Sequence, residues 1–193
     1  MRTIRTARLR LIPVTFENAL SLWRLLQQPD LRVYQDLPTV GAAIFSEMVA
    51  KRPAQLAPEA TGRFEWIIHL AGARLPVGWL SLRIADRDPN SGEVGYSILR
   101  EYRGRGIATE AVRVLISEAF ASASLARVYA YCVPDNQASR AVLERVGFQF
   151  EARLPHGATV NGQMVDVLMH RIDRADWDQS GNSIEMPASA YPA

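Results

Sequence analysis

The sequence predicts a mixed α/β fold of the α+β kind. It reads as one mostly antiparallel sheet of about seven strands, with a single parallel strand–helix–strand step at its centre and helices on both faces. Three observations carry this. Between Phe64 and Leu99, short apolar runs are separated by turn residues, as in an antiparallel meander. The strand Glu93 to Leu99, the helix Gly106 to Ser122 and the strand Arg127 to Val133 then follow one another directly, which needs a crossover and hence parallel pairing. Finally, two β-type runs flank Asn161-Gly162, a dipeptide suited to the positive φ angles of a two-residue hairpin turn.

Taken in order, Arg8 to Val14 alternates Leu9, Leu11 and Pro13 with Arg10, Ile12 and Val14, the period of a strand ended near the proline. Phe16, Ala19, Leu20, Trp23 and Leu26 recur at helical spacing, with Thr15 placed to cap them. A second helix is expected over Val40 to Arg52, and Pro53 to Gly62 reads as an exposed loop. The meander follows as Phe64 to Ala71, a turn at Gly72-Ala73, Pro76 to Ala85, a turn over Asp88 to Gly92, and Glu93 to Leu99. The crossover helix presents Ala108, Ala111, Val112, Leu115 and Ala119 on one face, and a further helix runs from Asn136 to Val146. Phe148 to Leu154 and Met164 to Ile172 are the closing strands.

The chain has 193 residues, of which 48% are apolar, enough for a core without disulfide or metal staples. One domain is expected over 1–177, with a Ser-, Gly-, Asn- and Pro-bearing tail from Asp178 to Ala193 outside the core. Twenty-two basic against 20 acidic residues leave a net charge of +2, too little for a broad nucleic-acid field, and no nucleic-acid partner is expected. No apolar run approaches the roughly 20 residues of a membrane span, and the first residues alternate arginine with apolar side chains. The expectation is a soluble cytoplasmic protein with no membrane partner. Cys132 is the single cysteine, so neither an internal disulfide nor a thiolate metal site is available, and metal is not expected. Lys51 is the single lysine and a poor candidate for an activated amine. Cys132, His69 and His170 fall in strands and read as buried structural residues, and Trp23, Trp66, Trp79 and Trp177 suit either core packing or the lining of an acceptor pocket, so none is assigned.

The sharpest local feature runs from Arg100 to Thr109, between a strand and a helix. Gly104 and Gly106 let the backbone approach an anion, the helix start offers unpaired N–H groups at a positive dipole end, and Arg100, Arg103 and Arg105 add charge. A phosphate site and an ordinary glycine turn both remain open at this point. The segment lacks the Gly-Lys-Ser/Thr of a P-loop and the third glycine of the dinucleotide fingerprint. A second feature, Val133 to Arg140, places Asn136 and Ser139 three apart on one helix face, where Asn136 is also a good N-cap.

Together these residues resemble the GNAT superfamily of N-acetyltransferases. Arg103-x-x-Gly106-x-Ala108 is similar to the acyl-CoA pyrophosphate loop of that family, and Asn136-x-x-Ser139 followed by Gly147-Phe148 to its later motif. Thr6 to Leu11, Pro76-Val77-Gly78, Glu93-Val94-Gly95-Tyr96 and Asn161-Gly162 look like the branch that acetylates ribosomal-protein N-termini, the RimJ/RimL type. The resemblance spans about Arg8 to Asp173. It implies a sheet splayed open between the strands ending near Leu99 and Val133, with acetyl-CoA in the opening. It further implies that backbone groups of Ile98, Leu99 and Arg100 contact the pantetheine arm. The N–H groups of Arg103, Gly104, Arg105, Gly106, Ile107, Ala108 and Thr109 would hold the pyrophosphate, and Asn136 would meet the cofactor near its sulfur.

The implied reaction is direct attack of a neutral amine on the thioester, with an N–H near Leu99 steadying the oxyanion. Ser139 is the expected proton donor to the departing thiolate, since it matches the serine this branch uses there. Related enzymes can carry a glutamate three residues before the hairpin Asn-Gly, whereas this chain has Ala158. The base is therefore open between Glu93, placed first, and His156. An α-amine of pKa near 8 costs about 1.4 kcal/mol to deprotonate at pH 7, against about 4.6 kcal/mol for a lysine-type amine. A weak base favours the α-amine of a peptide N-terminus or free amino compound as acceptor. A small amine such as an antibiotic or polyamine, or a catalytically silent acyl-CoA-binding module, are the alternatives. A homodimer is compatible with the implied fold.

Overall fold

The computed structural model describes residues 1–180. Eight strands form one sheet among the described residues: β1 (Ile4–Arg5), β2 (Leu9–Pro13), β3 (Gly62–Leu70), β4 (Pro76–Ala85), β5 (Asp88–Ile98), β6 (Arg127–Cys132), β7 (Gln149–Val160) and β8 (Gln163–Asp173). Their order is β1-β2-β3-β4-β5-β6-β8-β7, antiparallel throughout except for the β5–β6 pair. The helices are α1 (Ala19–Leu26), α2 (Ala42–Ala50), α3 (Ile107–Ser122), α4 (Gln137–Val146) and α5 (Arg174–Gln179). The fold class is as expected; the additional strand, β1, spans two residues, too few to show alternation in a sequence.

Two boundaries differ from expectation. The β4–β5 turn is Asp86-Arg87, not Asp88 to Gly92: Ala85 pairs with Asp88 and Ile84 with Gly92. Pro89, Asn90 and Ser91 bulge out of the β4 ladder, and a bulge is where a strand tolerates a proline without losing a required donor. Likewise β7 does not stop at Leu154. It continues to Val160 across a bulge in which the register jumps from Leu154↔Val167 to Ala158↔Val165. Of the expected tail, Asp178 and Gln179 complete α5, and 181–193 lie outside the described residues.

Period-two alternation sorts the sheet into two cores. Trp66, Ile68, Leu80, Leu82, Val94 and Ile98 pack on one face with Ile107, Leu115, Leu143 and Val146 of α3 and α4. Ile67 and Trp79 point the other way, into a second cluster with Leu22, Leu25 and Phe45 of α1 and α2. Thr15 opens the first helical turn through a reciprocal cap with Asn18, which holds α1 against that face.

The feature that positions the site is an interrupted ladder. β5 pairs with β6 only over Ser91–Val94 against Arg127–Ala130. Beyond that point β5 stays with β4 to Ile98, whereas Tyr131 and Cys132 of β6 stay with Met169 and Leu168 of β8. The sheet therefore forks into a V.

His69 and His170 are buried in this framework, 8% and 4% exposed, and burial pushes both imidazoles below the ordinary histidine range. The unfolded chain takes up these protons near pH 6.5 while the folded chain does not, so their contribution is intact above that pH and stability is lost as pH falls below it. The urea midpoint is expected to drop further between pH 7.5 and 5.5 in the native chain than in a His69→Gln/His170→Gln variant; equal drops would contradict this.

Candidate active site

The fork opens into a cleft of about 1410 Å³ that crosses the sheet from one face to the other. At its mouth the chain leaves β5 through a short 3-10 turn and enters α3. Leu99 N–H donates to Val77 O (2.9 Å), Tyr102 N–H to Leu99 O (2.9 Å) and Arg103 N–H to Arg100 O (3.2 Å). Gly104 and Gly106 then adopt φ of +73° and +75°, a left-handed conformation that an L side chain enters only under strain. The first α3 hydrogen bond is Glu110 N–H to Gly106 O (3.0 Å), so the N–H groups of Ile107, Ala108 and Thr109 have no intrahelical acceptor. A donor-rich loop at a positive helix end is the result.

The arginines play different parts from those the sequence suggested. Arg103 Nε donates to Ile98 O (2.9 Å) and its Nη2 to Asp30 O (2.9 Å), with Asp30 Oδ2 at 3.5 Å. Asp30 Oδ2 also accepts the Arg100 N–H at 2.7 Å. Arg103 thus braces the loop, and its N–H, already engaged by Arg100 O, is not among the open donors. Arg105 lies over the Tyr102 ring, 5.5 Å from its centroid, while its carbonyl accepts from Arg8 Nη1 (3.1 Å). Leu99 corrects a second expectation: its N–H is held by Val77 O. Ladder alternation turns the backbone groups of Tyr96 and Ile98 toward the fork instead.

On the opposite wall, Asn136 caps α4 by accepting the Ser139 N–H on Oδ1 (3.1 Å). Ser139 Oγ lies 3.0 Å from Tyr96 Oη, which also donates to Ser139 O at 3.3 Å. Burial pushes the Tyr96 phenol well above its ordinary pKa. Tyr96 is a cleft residue that sequence reasoning did not single out; its alternation with Val94 and Ile98 was the available signal. Cys132 lines the cleft on the same side, buried and with its thiol pKa raised by burial.

The two candidate bases separate. Glu93 pairs across the ladder with Arg83, and Trp79, Ser81 and Arg83 stand opposite Ser97, Gly95 and Glu93. These residues share the α1/α2 face, so Glu93 reaches the cleft from the side opposite Tyr96 and Ser139. Its Oε2 accepts from Arg83 Nη2 (2.6 Å) and Nε (3.2 Å). His156 is not brought to the cleft. It occupies the β7 bulge at φ +52°, its N–H donating to Asp166 Oδ1 (3.1 Å), and the bulge leaves Ala158, Thr159 and Val160 on the lining. On this same face, Asn161 N–H donates to Asp36 Oδ1 (2.8 Å), tying the β7–β8 turn to the segment after α1. Gln35 Nε2 contacts Ser97 Oγ and donates to Leu31 O (2.8 Å).

Among the described residues no cluster of His, Cys, Asp and Glu could hold a metal ion, and no helix is long and apolar enough to cross a membrane.

Comparison with known proteins agrees with this geometry. RimL, described as a ribosomal alpha-N-protein acetyltransferase in complex with coenzyme A, superposes with a TM-score of 0.76 at 21% identity, covering 89% of this chain and 98% of that one. RimJ of Mycobacterium smegmatis, solved with CoA-disulfide, gives a TM-score of 0.70 at 25% identity over 90% of each chain. YdaF of Bacillus subtilis, provisionally named a ribosomal N-acetyltransferase, is 38% identical over 101 residues, 52% of this chain and 55% of its own length. Residues 8–149 match the acetyltransferase (GNAT) domain, and the chain belongs to that family of acyltransferases.

Proposed function

We propose that the protein transfers the acetyl group of acetyl-CoA to an α-amine, of a protein N-terminus or a free amino compound, by direct attack in a ternary complex. The observation that carries this is the fork between β5 and β6, which opens a passage from the donor-rich loop on one face to Glu93 and Gln35 on the other. The residues present suit a pantetheine thioester. The β5 edge offers the backbone groups of Tyr96 and Ile98, and the N–H groups from Gly104 to Thr109 suit a diphosphate. By the family resemblance Asn136, on the opposite wall of the cleft, would meet the cofactor near its sulfur end.

In this reading the Ile98 N–H, not that of Leu99, steadies the oxyanion; one such donor is worth about 10² to 10³ in kcat. Ser139 donates a hydrogen bond to the departing sulfur, which leaves as a thiolate of a thiol with pKa about 8.5 by analogy with cysteine. Glu93, already engaged by Arg83, accepts the amine proton through solvent. This undemanding base is sufficient for an α-amine, of which about a tenth is neutral at pH 7. Relatives bearing the ribosomal acetyltransferase name support a protein N-terminus as the acceptor.

The test is a mass-shift screen with acetyl-CoA, N-terminal peptides and small amines. Acetylated peptide α-amines are expected, with Glu93→Gln costing less than about tenfold in kcat because solvent can take the proton. Acetylation confined to lysine side chains or polyamines would overturn the acceptor assignment.

A further inference from the structure

We propose that Tyr96 is a positioning residue for acyl transfer: its hydroxyl, 3.0 Å from Ser139 Oγ across the fork, orients the serine O–H toward the departing sulfur. This rests on the reading of Ser139 as the donor to sulfur and assigns the group that aims it.

The two residues come from opposite walls. Tyr96 is fixed by the β4 ladder, where it pairs with Leu80, and lies beyond Val94, the last β5 residue paired to β6. Ser139 lies in the first turn of α4, its N–H held by Asn136 Oδ1. The Asn136 contact fixes the serine main chain and leaves its hydroxyl free to rotate. Tyr96 restricts that rotation.

The tyrosine oxygen has two neighbours on one residue: Ser139 O at 3.3 Å, which can only accept, and Ser139 Oγ at 3.0 Å, which can donate or accept. Two arrangements follow. In one, Tyr96 donates to the carbonyl and Ser139 Oγ–H donates back to Tyr96 Oη, so the serine proton points away from the cleft. In the other, Tyr96 turns its proton to Oγ and the serine proton is released toward the cleft. Exchange between them is a rotation of two hydroxyls, with no movement of heavy atoms. A thioester sulfur, which grows more basic as the C–S bond breaks, favours the second arrangement.

During transfer the amine nitrogen forms its bond to the acyl carbon, and the C–S bond breaks with its electron pair on sulfur. Ser139 donates a hydrogen bond to that sulfur, and Tyr96 donates one to Ser139 Oγ. Both hydroxyls keep their protons, and the amine proton leaves on the other face. Burial of the phenol, which holds its pKa high, keeps Tyr96 protonated as this role requires.

The test compares the native chain with Tyr96→Phe, Ser139→Ala and the double variant, using thiol release for kcat and KM, calorimetry for coenzyme A and thermal unfolding as a folding control. Phenylalanine keeps the ring that packs on the core and removes only the hydroxyl. Tyr96→Phe is expected to lower kcat about tenfold while the KM for acetyl-CoA stays within about twofold. In the double variant the loss should equal that of Ser139→Ala alone, because the phenol acts only through the serine. Losses that multiply, a Tyr96→Phe effect confined to KM, or an unchanged kcat would overturn the proposal. An undiminished Ser139→Ala variant would remove the serine reading and the tyrosine with it; a damaged Ser139→Ala beside a normal Tyr96→Phe would remove the tyrosine role alone.

Discussion

Ser139→Ala is expected to lower kcat by about a hundredfold, the lower end of what one positioned hydrogen-bond donor to developing charge contributes. The substitution deletes one hydroxyl and leaves the Ser139 N–H on Asn136 Oδ1, so the start of α4 keeps its cap. Binding should accordingly be spared, with the KM for acetyl-CoA within about twofold, because the lost interaction strengthens only as charge develops on sulfur. Thiol release under saturating amine measures this directly. Asn136→Ala provides the contrast: losing the cap costs about 1 kcal/mol of stability, so its melting temperature should fall where that of Ser139→Ala does not. A Ser139→Ala enzyme with full kcat, or one impaired only in KM, would show that the thiolate leaves unaided.

The second large effect is expected at Gly106. Its φ of +75° would cost an L residue about 1–2 kcal/mol, and more for a β-branched one. Gly106→Val is expected to relieve that strain by rotating the turn, which redirects the N–H groups of Ile107 to Thr109; the new Cβ itself would meet Arg8 Nη2 at an ordinary contact distance of 3.5 Å. Calorimetry should find coenzyme A affinity reduced about a hundredfold, equivalent to about 2.7 kcal/mol. Arg105→Ala should cost only a few-fold, because that guanidinium lies over the Tyr102 ring and its loss leaves the backbone donors in place. If the two variants bind equally well, the diphosphate is held by side chains and not by the turn.

What the sequence revealed was whatever depends on neighbours along the chain. The alternation of Leu9, Leu11 and Pro13, the Asn161-Gly162 turn, the glycines before α3 and the Asn136 cap are local patterns, and each element they predicted is present. What stayed hidden depends on distant partners. Asp30 is 73 residues from Arg103, and this contact engages a guanidinium that the sequence offered as loose positive charge. His156 looked close to the place of the missing carboxylate because it is two positions from Ala158, yet the bulge between Leu154 and Ala158 carries the pair to different surroundings. Tyr96 entered only as the end of Glu93-Val94-Gly95-Tyr96, since nothing local reveals that its hydroxyl meets a serine 43 positions later.

The link between Asp36 and Asn161 has a consequence for traffic through the molecule. It tethers the β7–β8 turn to the segment after α1 on the Glu93 side of the cleft, and if the proposed acceptor enters there, the tether would favour a slender chain end over a bulky group. Globular bulk would rest outside while only the leading residues reach the reacting centre.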